Sequence, residues 1–186
     1  MIFTQTPLEG AYIIKVIPNE DERGFFARSV CRDEFESFGL NADFVQQSIS
    51  WTKYKGTIRG LHYQCEPYQE NKLVRVTRGA IFDVIVDIRV SSSTYGQWFG
   101  LELSEFNRQQ LYIPKGFAHG FQALSDRTEV FYQMTAFYHP QAARGIRWDD
   151  KNLNVTWPFT IKSNDRCRLS QADSQFLDWG KSRREN

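Results

Sequence analysis

No stretch of the 186 residues approaches the roughly 20 consecutive apolar residues that a membrane helix requires. The start, Met-Ile-Phe-Thr-Gln-Thr-Pro, also lacks a charged region followed by an apolar one, the pattern of a secretory leader. Both absences predict a soluble, cytoplasmic protein. An excess of charge of one sign is missing too: 23 Lys and Arg face 22 Asp and Glu, for a formal net charge of +1. No long-range field therefore draws the chain to nucleic acid or to an anionic membrane, and any anion site has to be local. Cysteine is scarce. Cys31, Cys65 and Cys167 are odd in number and lack CxxC spacing, so they speak for neither a disulfide framework nor a zinc knuckle, and reduced thiols are expected. Repeats, low-complexity blocks and linkers are absent as well. The length suits one domain over residues 1–186, with Lys181 to Asn186 expected to fray.

Aromatic residues, by contrast, are abundant at 15%. Strand-like runs recur between clusters of Gly, Pro, Asn and Ser, while helix signals are few, which predicts an all-β sandwich or barrel. The best short helix is Arg32 to Gly39, acidic in its first turn and closed by a glycine. Asp21-Glu22-Arg23-Gly24 reads as a turn leading into Phe25-Phe26, and Phe44 to Ser50 as a further strand. The polar tail after Trp157-Pro158 is expected to cover one end of the sandwich as loops and short helical turns.

Three periodic strands carry most of the information. In Lys72 to Thr77, alternation puts Lys72 on one face with Val74 and Val76, so a lysine is expected on a buried side. In Ile81 to Arg89, Phe82, Val84, Val86 and Ile88 oppose Asp83, Ile85, Asp87 and Arg89, as in a half-buried strand. From Glu129 to Tyr138, Val130, Tyr132, Met134, Ala136 and Tyr138 share one face, so two phenols point the same way.

The stretch Arg59-Gly60-Leu61-His62-Tyr63-Gln64, with Lys72 ten residues beyond His62, gathers an imidazole, an ammonium and a guanidinium. Such groups suit proton transfer beside a carbonyl. That chemistry needs a base on one face of the substrate, an acid on the other, and positive charge or donors where the enolate oxygen develops. Histidine is the natural base near neutral pH, Tyr132 can serve as the opposite acid, and Lys72 can stabilise the enolate; a Schiff base at Lys72 ranks below that role. Strict alternation places Arg59 opposite His62. A bulge at Gly60 is needed to bring both into one pocket.

The turn Pro114-Lys115-Gly116-Phe117-Ala118-His119 resembles the second motif of the cupin superfamily, a jelly-roll β-sandwich, which implies that fold with a few short helices. Many cupins hold a metal through a His-x-His pair, a glutamate and a further histidine. Here Gln64 stands at the partner position of His62, and His62, His119 and His139 are all the histidines in the chain, so no metal is expected.

Seven ordered segments look like those of the dTDP-4-dehydrorhamnose 3,5-epimerase family: residues 21–26, 44–46, 59–64, 72–75, 82–89, 113–121 and 145–150. That family acts on nucleotide-linked 4-keto-6-deoxy sugars as a homodimer, with no metal or redox cofactor. The resemblance implies epimerisation at carbons 3 and 5, or at one of them, with dTDP-4-dehydro-6-deoxy-D-glucose as the leading substrate. It makes His62 the base, Asp173 its carboxylate partner and Tyr132 the proton donor, and sets Lys72 and His119 near the sugar. Arg23 and Arg59 would hold the diphosphate, Gln46 would lie in the nucleotide site, and Tyr138 would stack on the base. Arginine forks suit phosphate oxygens and a phenol face suits thymine.

Four positions depart from the family pattern: Arg28, Ser48, Ala143 and Ala172 stand where the family usually has an acid, an asparagine, a glutamate and a lysine or arginine. All four are expected to border the substrate, which predicts retained enolisation with an altered sugar or nucleotide. Three rival readings remain open: a 4-keto sugar ketoisomerase of related fold, a cupin that binds sugar nucleotides without turnover, and a metal-dependent oxygenase.

Overall fold

The computed structural model describes residues 1–182, with side chains through residue 180. In chain order its elements are β1 (Ile2–Gln5), β2 (Tyr12–Lys15), β3 (Asn19–Asp21), β4 (Gly24–Phe26), α1 (Arg32–Glu36), β5 (Gln46–Thr52), β6 (Ile58–Gln64), β7 (Lys72–Arg78), β8 (Ala80–Asp87), β9 (Trp98–Ser104), β10 (Gln109–Ile113), β11 (Phe117–Ala123), β12 (Thr128–Met134), β13 (Ala143–Gly145), α2 (Gln171–Gln175) and α3 (Trp179–Ser182). One antiparallel sheet runs β1-β2-β10-β7-β12-β5 and a second β13-β6-β11-β8-β9, while β3 and β4 pair only with each other. With neighbours distant in sequence, such as β2 beside β10, the two sheets form the antiparallel β-sandwich that the recurrent strand-like runs predict, and the fold is of the cupin-like kind that the turn before His119 implies. Of the residues expected to fray, Lys181 and Ser182 belong to α3, and 183–186 lie outside the described residues. No helix among the described residues is long and apolar enough to cross a membrane.

Between the sheets, Val74, Val76 and Val130 meet Ile81, Ile85, Leu103, Phe117 and Phe121 in a buried core. Each of these side chains removes apolar area from water, which stabilises the fold by about 1.5–3 kcal/mol per fully buried residue.

Strand β8 differs from its expected half-burial. Its outer face carries Val84 and Val86, which pack with Ile146, Leu153 and Trp179, with Phe82, Ile88 and Trp157 beside them. The chain after β12 thus covers what would otherwise be a solvent face, so β8 is buried on both sides. Asp83 and Asp87 share the other face with Ile81 and Ile85 of the core between the sheets, both with no exposed area. Buried carboxylates require partners. Asp87 accepts from the Arg89 guanidinium at 2.7 Å, Ser92 Oγ at 2.5 Å and Thr94 Oγ1 at 2.7 Å. Burial pushes its carboxyl up, but the hydrogen bonds from Arg89, Ser92 and Thr94 outweigh that and hold it at about 2.

The break expected at Gly60 is present. Between the pairs His119–His62 and Phe121–Arg59, β6 spends three steps against two on β11, so one extra residue bulges out. Gly60 has φ +125°, and a Cβ there would sit 2.6 Å from the Cα of Gly120. A side chain has no room at that crossing, and the bulge turns Arg59 and His62 to the same cleft.

Candidate active site

Two adjoining cavities of about 510 and 580 Å³ share Ser48, His62, Lys72, Tyr132 and Asp173. They form one cleft between the sheets, because β6 contributes His62 from the five-stranded sheet while β7 and β12 contribute Lys72 and Tyr132 from the six-stranded one. The first cavity adds Arg59 and His119, and the second adds Gln46, Tyr138 and Phe176.

The floor is set by a histidine–carboxylate pair. His62 Nε2 lies 2.8 Å from Asp173 Oδ1, with side chains 47% and 7% exposed. A carboxylate accepts, so the Asp173 side holds the imidazole N–H on Nε2 and leaves the Nδ1 lone pair available for a proton. Asp173 is itself fixed: its backbone N–H donates to the Ser170 cap of α2 at 3.0 Å, and its Oδ2 accepts from the Gly60 N–H at 3.4 Å. The Phe176 ring meets the His62 ring edge-on at 5.6 Å.

On the opposite sheet, burial pushes the Tyr132 phenol far above its usual range, the Asp83 charge adds to that, and Arg59 pulls the other way. The phenol therefore rests protonated, as a proton donor must. His119 is 4% exposed, and its Nε2 lies 2.7 Å from Asp83 Oδ1; its ring stands edge-on to Tyr132 at 6.0 Å. Asp83 Oδ2 is buried without a hydrogen-bond partner. The inward lysine predicted by alternation is half-buried and also explained, since Lys72 Nζ is 3.0 Å from Glu70 Oε1.

Arg59 donates from Nε to Thr52 Oγ1 and from Nη2 to the Trp51 carbonyl, both at 3.1 Å, which aims its fork along the first cavity. Gln46 Oε1 accepts from the Tyr138 N–H at 3.1 Å. Tyr138 lies beyond the end of β12, yet it lines the same cavity as Met134 and Ala136, as the alternation predicts.

Arg23 is not brought to the cleft of its own chain. It sits in the turn of the exposed β3–β4 ribbon, 90% exposed and paired with Asp21 at 2.6 Å. Of the four departures, Ser48, Ala143 and Ala172 line the cleft. Arg28 does not: it pairs with Glu34 at 2.9 Å and borders neither cavity.

Sequence reasoning missed Glu70 and Asp83. An acid two residues before an inward lysine is a usable signal, because i and i+2 share a face in extended chain. Asp83 gave none, since only the sheet packing decides which face of β8 meets His119. Among the described residues, no group of three or more His, Cys, Asp or Glu is placed to hold a metal ion.

Comparison with known proteins accounts for this arrangement. Residues 5–180 match the family model described as dTDP-4-dehydrorhamnose 3,5-epimerase. The chain belongs to this family. It is 46% identical to the dTDP-4-dehydrorhamnose 3,5-epimerase of Methanothermobacter thermautotrophicus over 94% of its own length and 92% of that protein. The crystal structure of a dTDP-6-deoxy-D-glucose-3,5-epimerase from Legionella pneumophila, in complex with dTDP-4-keto-L-rhamnose, superposes with a TM-score of 0.87 at 39% identity, covering 95% of this chain and 92% of that one. A Streptomyces niveus relative, 36% identical over 81% of this chain and 73% of its own, is named a dTDP-4-dehydrorhamnose 3-epimerase. The chain is thus an isomerase of a family that includes double and single epimerases.

Proposed function

We propose that this chain is a cytoplasmic enzyme that epimerises dTDP-4-dehydro-6-deoxy-D-glucose at carbons 3 and 5, with no cofactor. One observation carries the mechanism: an Asp173-held imidazole and a protonated phenol enter one cleft from opposing sheets. His62 Nδ1 takes the proton from the carbon next to the ketone, and the electron pair of that C–H bond moves through the new C=C bond onto the carbonyl oxygen. Lys72 offsets the charge that develops there, and Tyr132 returns a proton to the carbon from the other face. Solvent then restores the protonation states of His62 and Tyr132.

Arg59 binds the diphosphate and His119 borders the sugar. Gln46 and Tyr138 receive the nucleotide, Tyr138 by stacking. Arg23 reaches this site from a second copy of the chain in a homodimer. The β3–β4 ribbon belongs to neither sheet and exposes 47% of Phe25 and 80% of Phe26, a surface suited to a partner.

The test is NMR of dTDP-4-dehydro-6-deoxy-D-glucose turned over in D₂O. Deuterium at carbons 3 and 5 with inversion at both is expected. Inversion at one carbon alone would make the chain a single epimerase; migration of the carbonyl would make it a ketoisomerase, and no deuterium at either carbon would leave a binding protein.

A further inference from the structure

Glu70 precedes β7, and its carboxylate is the partner of Lys72 inside the cleft. The two side chains are 8% and 14% exposed, and both line the second cavity. Residues 70 and 72 point the same way because Asn71 between them is fixed on the other side: its N–H donates to Thr135 Oγ1 at 2.9 Å, and its Oδ1 accepts from the Lys115 N–H at 3.0 Å. The carboxylate is held at both oxygens. Oε1 meets Lys72 Nζ at 3.0 Å, and Oε2 accepts from Gln64 Nε2 at 2.7 Å. Gln64 is anchored in turn, since its Nε2 also donates to the Tyr68 carbonyl at 2.9 Å and its Oε1 accepts from the His139 N–H at 2.6 Å.

We propose that Glu70 is the positioning residue of the Lys72 ammonium, a role that rests on the reaction assigned above. A lysine carries a flexible four-carbon arm with many rotamers to lose. Glu70 removes that freedom before substrate arrives. The carboxylate also makes the resting pair neutral overall, so its pull on the uncharged ketone of the ground state is weak. Attraction grows only when negative charge reaches the carbonyl oxygen, and an interaction made in the transition state appears in kcat with little change in KM.

The experiment is a double-mutant cycle on the full chain with E70Q, K72M and the double variant, read as kcat and KM for the dTDP-linked 4-keto sugar and as Kd for dTDP. E70Q is expected to lower kcat by about 10- to 100-fold, the scale of a misplaced catalytic group, with KM and Kd near wild type. In the K72M background the same substitution is expected to change kcat by no more than about twofold, because its effect passes through a group already gone. Glu70→Asp, which keeps the charge on a shorter arm, is expected to fall between; should E70Q fail to fold, Glu70→Asp carries the cycle.

Equal losses in both backgrounds would overturn the proposal, as would unchanged kcat in E70Q or a raised KM with kcat intact. A K72M variant as fast as wild type would remove the role of Lys72, and this inference with it. A wild-type chain that puts no deuterium into the sugar would instead refute the reaction itself.

Discussion

Two histidine–carboxylate pairs of nearly equal length face each other across neighbouring strands, and their surroundings separate them. His62–Asp173 is 2.8 Å long with the imidazole 47% exposed; His119–Asp83 is 2.7 Å long with side chains 5% and 0% exposed. The first joins a strand to the late helix α2, and the second joins β11 to the adjacent β8. An open imidazole on a fixed carboxylate can exchange a proton with a ligand. A closed one ties two strands together, and its Asp83 charge adds to the burial that pushes the Tyr132 phenol up. Identical pair chemistry thus suits the base proposed above in one place and a support in the other, because solvent access differs.

Four substitutions probe that contrast. His62→Ala is expected to slow deuterium exchange into the sugar by about 10²- to 10⁴-fold, the usual worth of a general base, with its melting temperature near wild type. Exchange at wild-type speed would abandon the assignment. His119→Ala is expected to act on stability first, costing about 3–5 kcal/mol, since it leaves Asp83 buried and unpaired on both oxygens. An unchanged denaturation midpoint would show that the closed pair is not a support.

Asp173→Asn is expected to lower kcat less than His62→Ala does, with KM for the sugar nucleotide little changed, because it disturbs the imidazole's orientation and leaves the base in place. A loss confined to KM would assign Asp173 to binding. The smallest effect is expected at Asp87, the other buried acid of β8. Its carboxyl is held at about 2 against an ordinary 3.8, so the folded state favours its ionised form. That contribution is present above the unfolded value and fades as pH falls from about 4 through about 2. Asp87→Asn should therefore be less stable than wild type at pH 7, with the gap narrowing from about pH 4 down through about 2; a gap of the same size at both ends of that range would mean that packing, not charge, is what the substitution disturbs.

Much of the cleft was legible because β-strands have a fixed period. Alternation put Lys72 on the face of Val74, put Tyr132 on that of Val130, and demanded a break at Gly60 before Arg59 could join His62. The same rule failed for β8. It gave two faces without saying that the chain after β12 would cover the outer one, so the burial of β8 on both sides was not readable. Glu70 was readable and missed, since an acid at i−2 of an inward lysine shares its face. Arg23 was placed by resemblance, and its own chain leaves it on an exposed ribbon.

By itself the sequence determined most of the strands, the two faces of each and the bulge at Gly60, all consequences of spacing within a few residues. Tertiary structure alone decided which carboxylate meets which histidine. Asp173 lies 111 residues from His62, and Asp83 lies 36 from His119. No local periodicity links positions so far apart; sheet register and the docking of α2 bring them together. Burial then leaves the His62 imidazole half open to the cleft and closes the His119 pair between two strands.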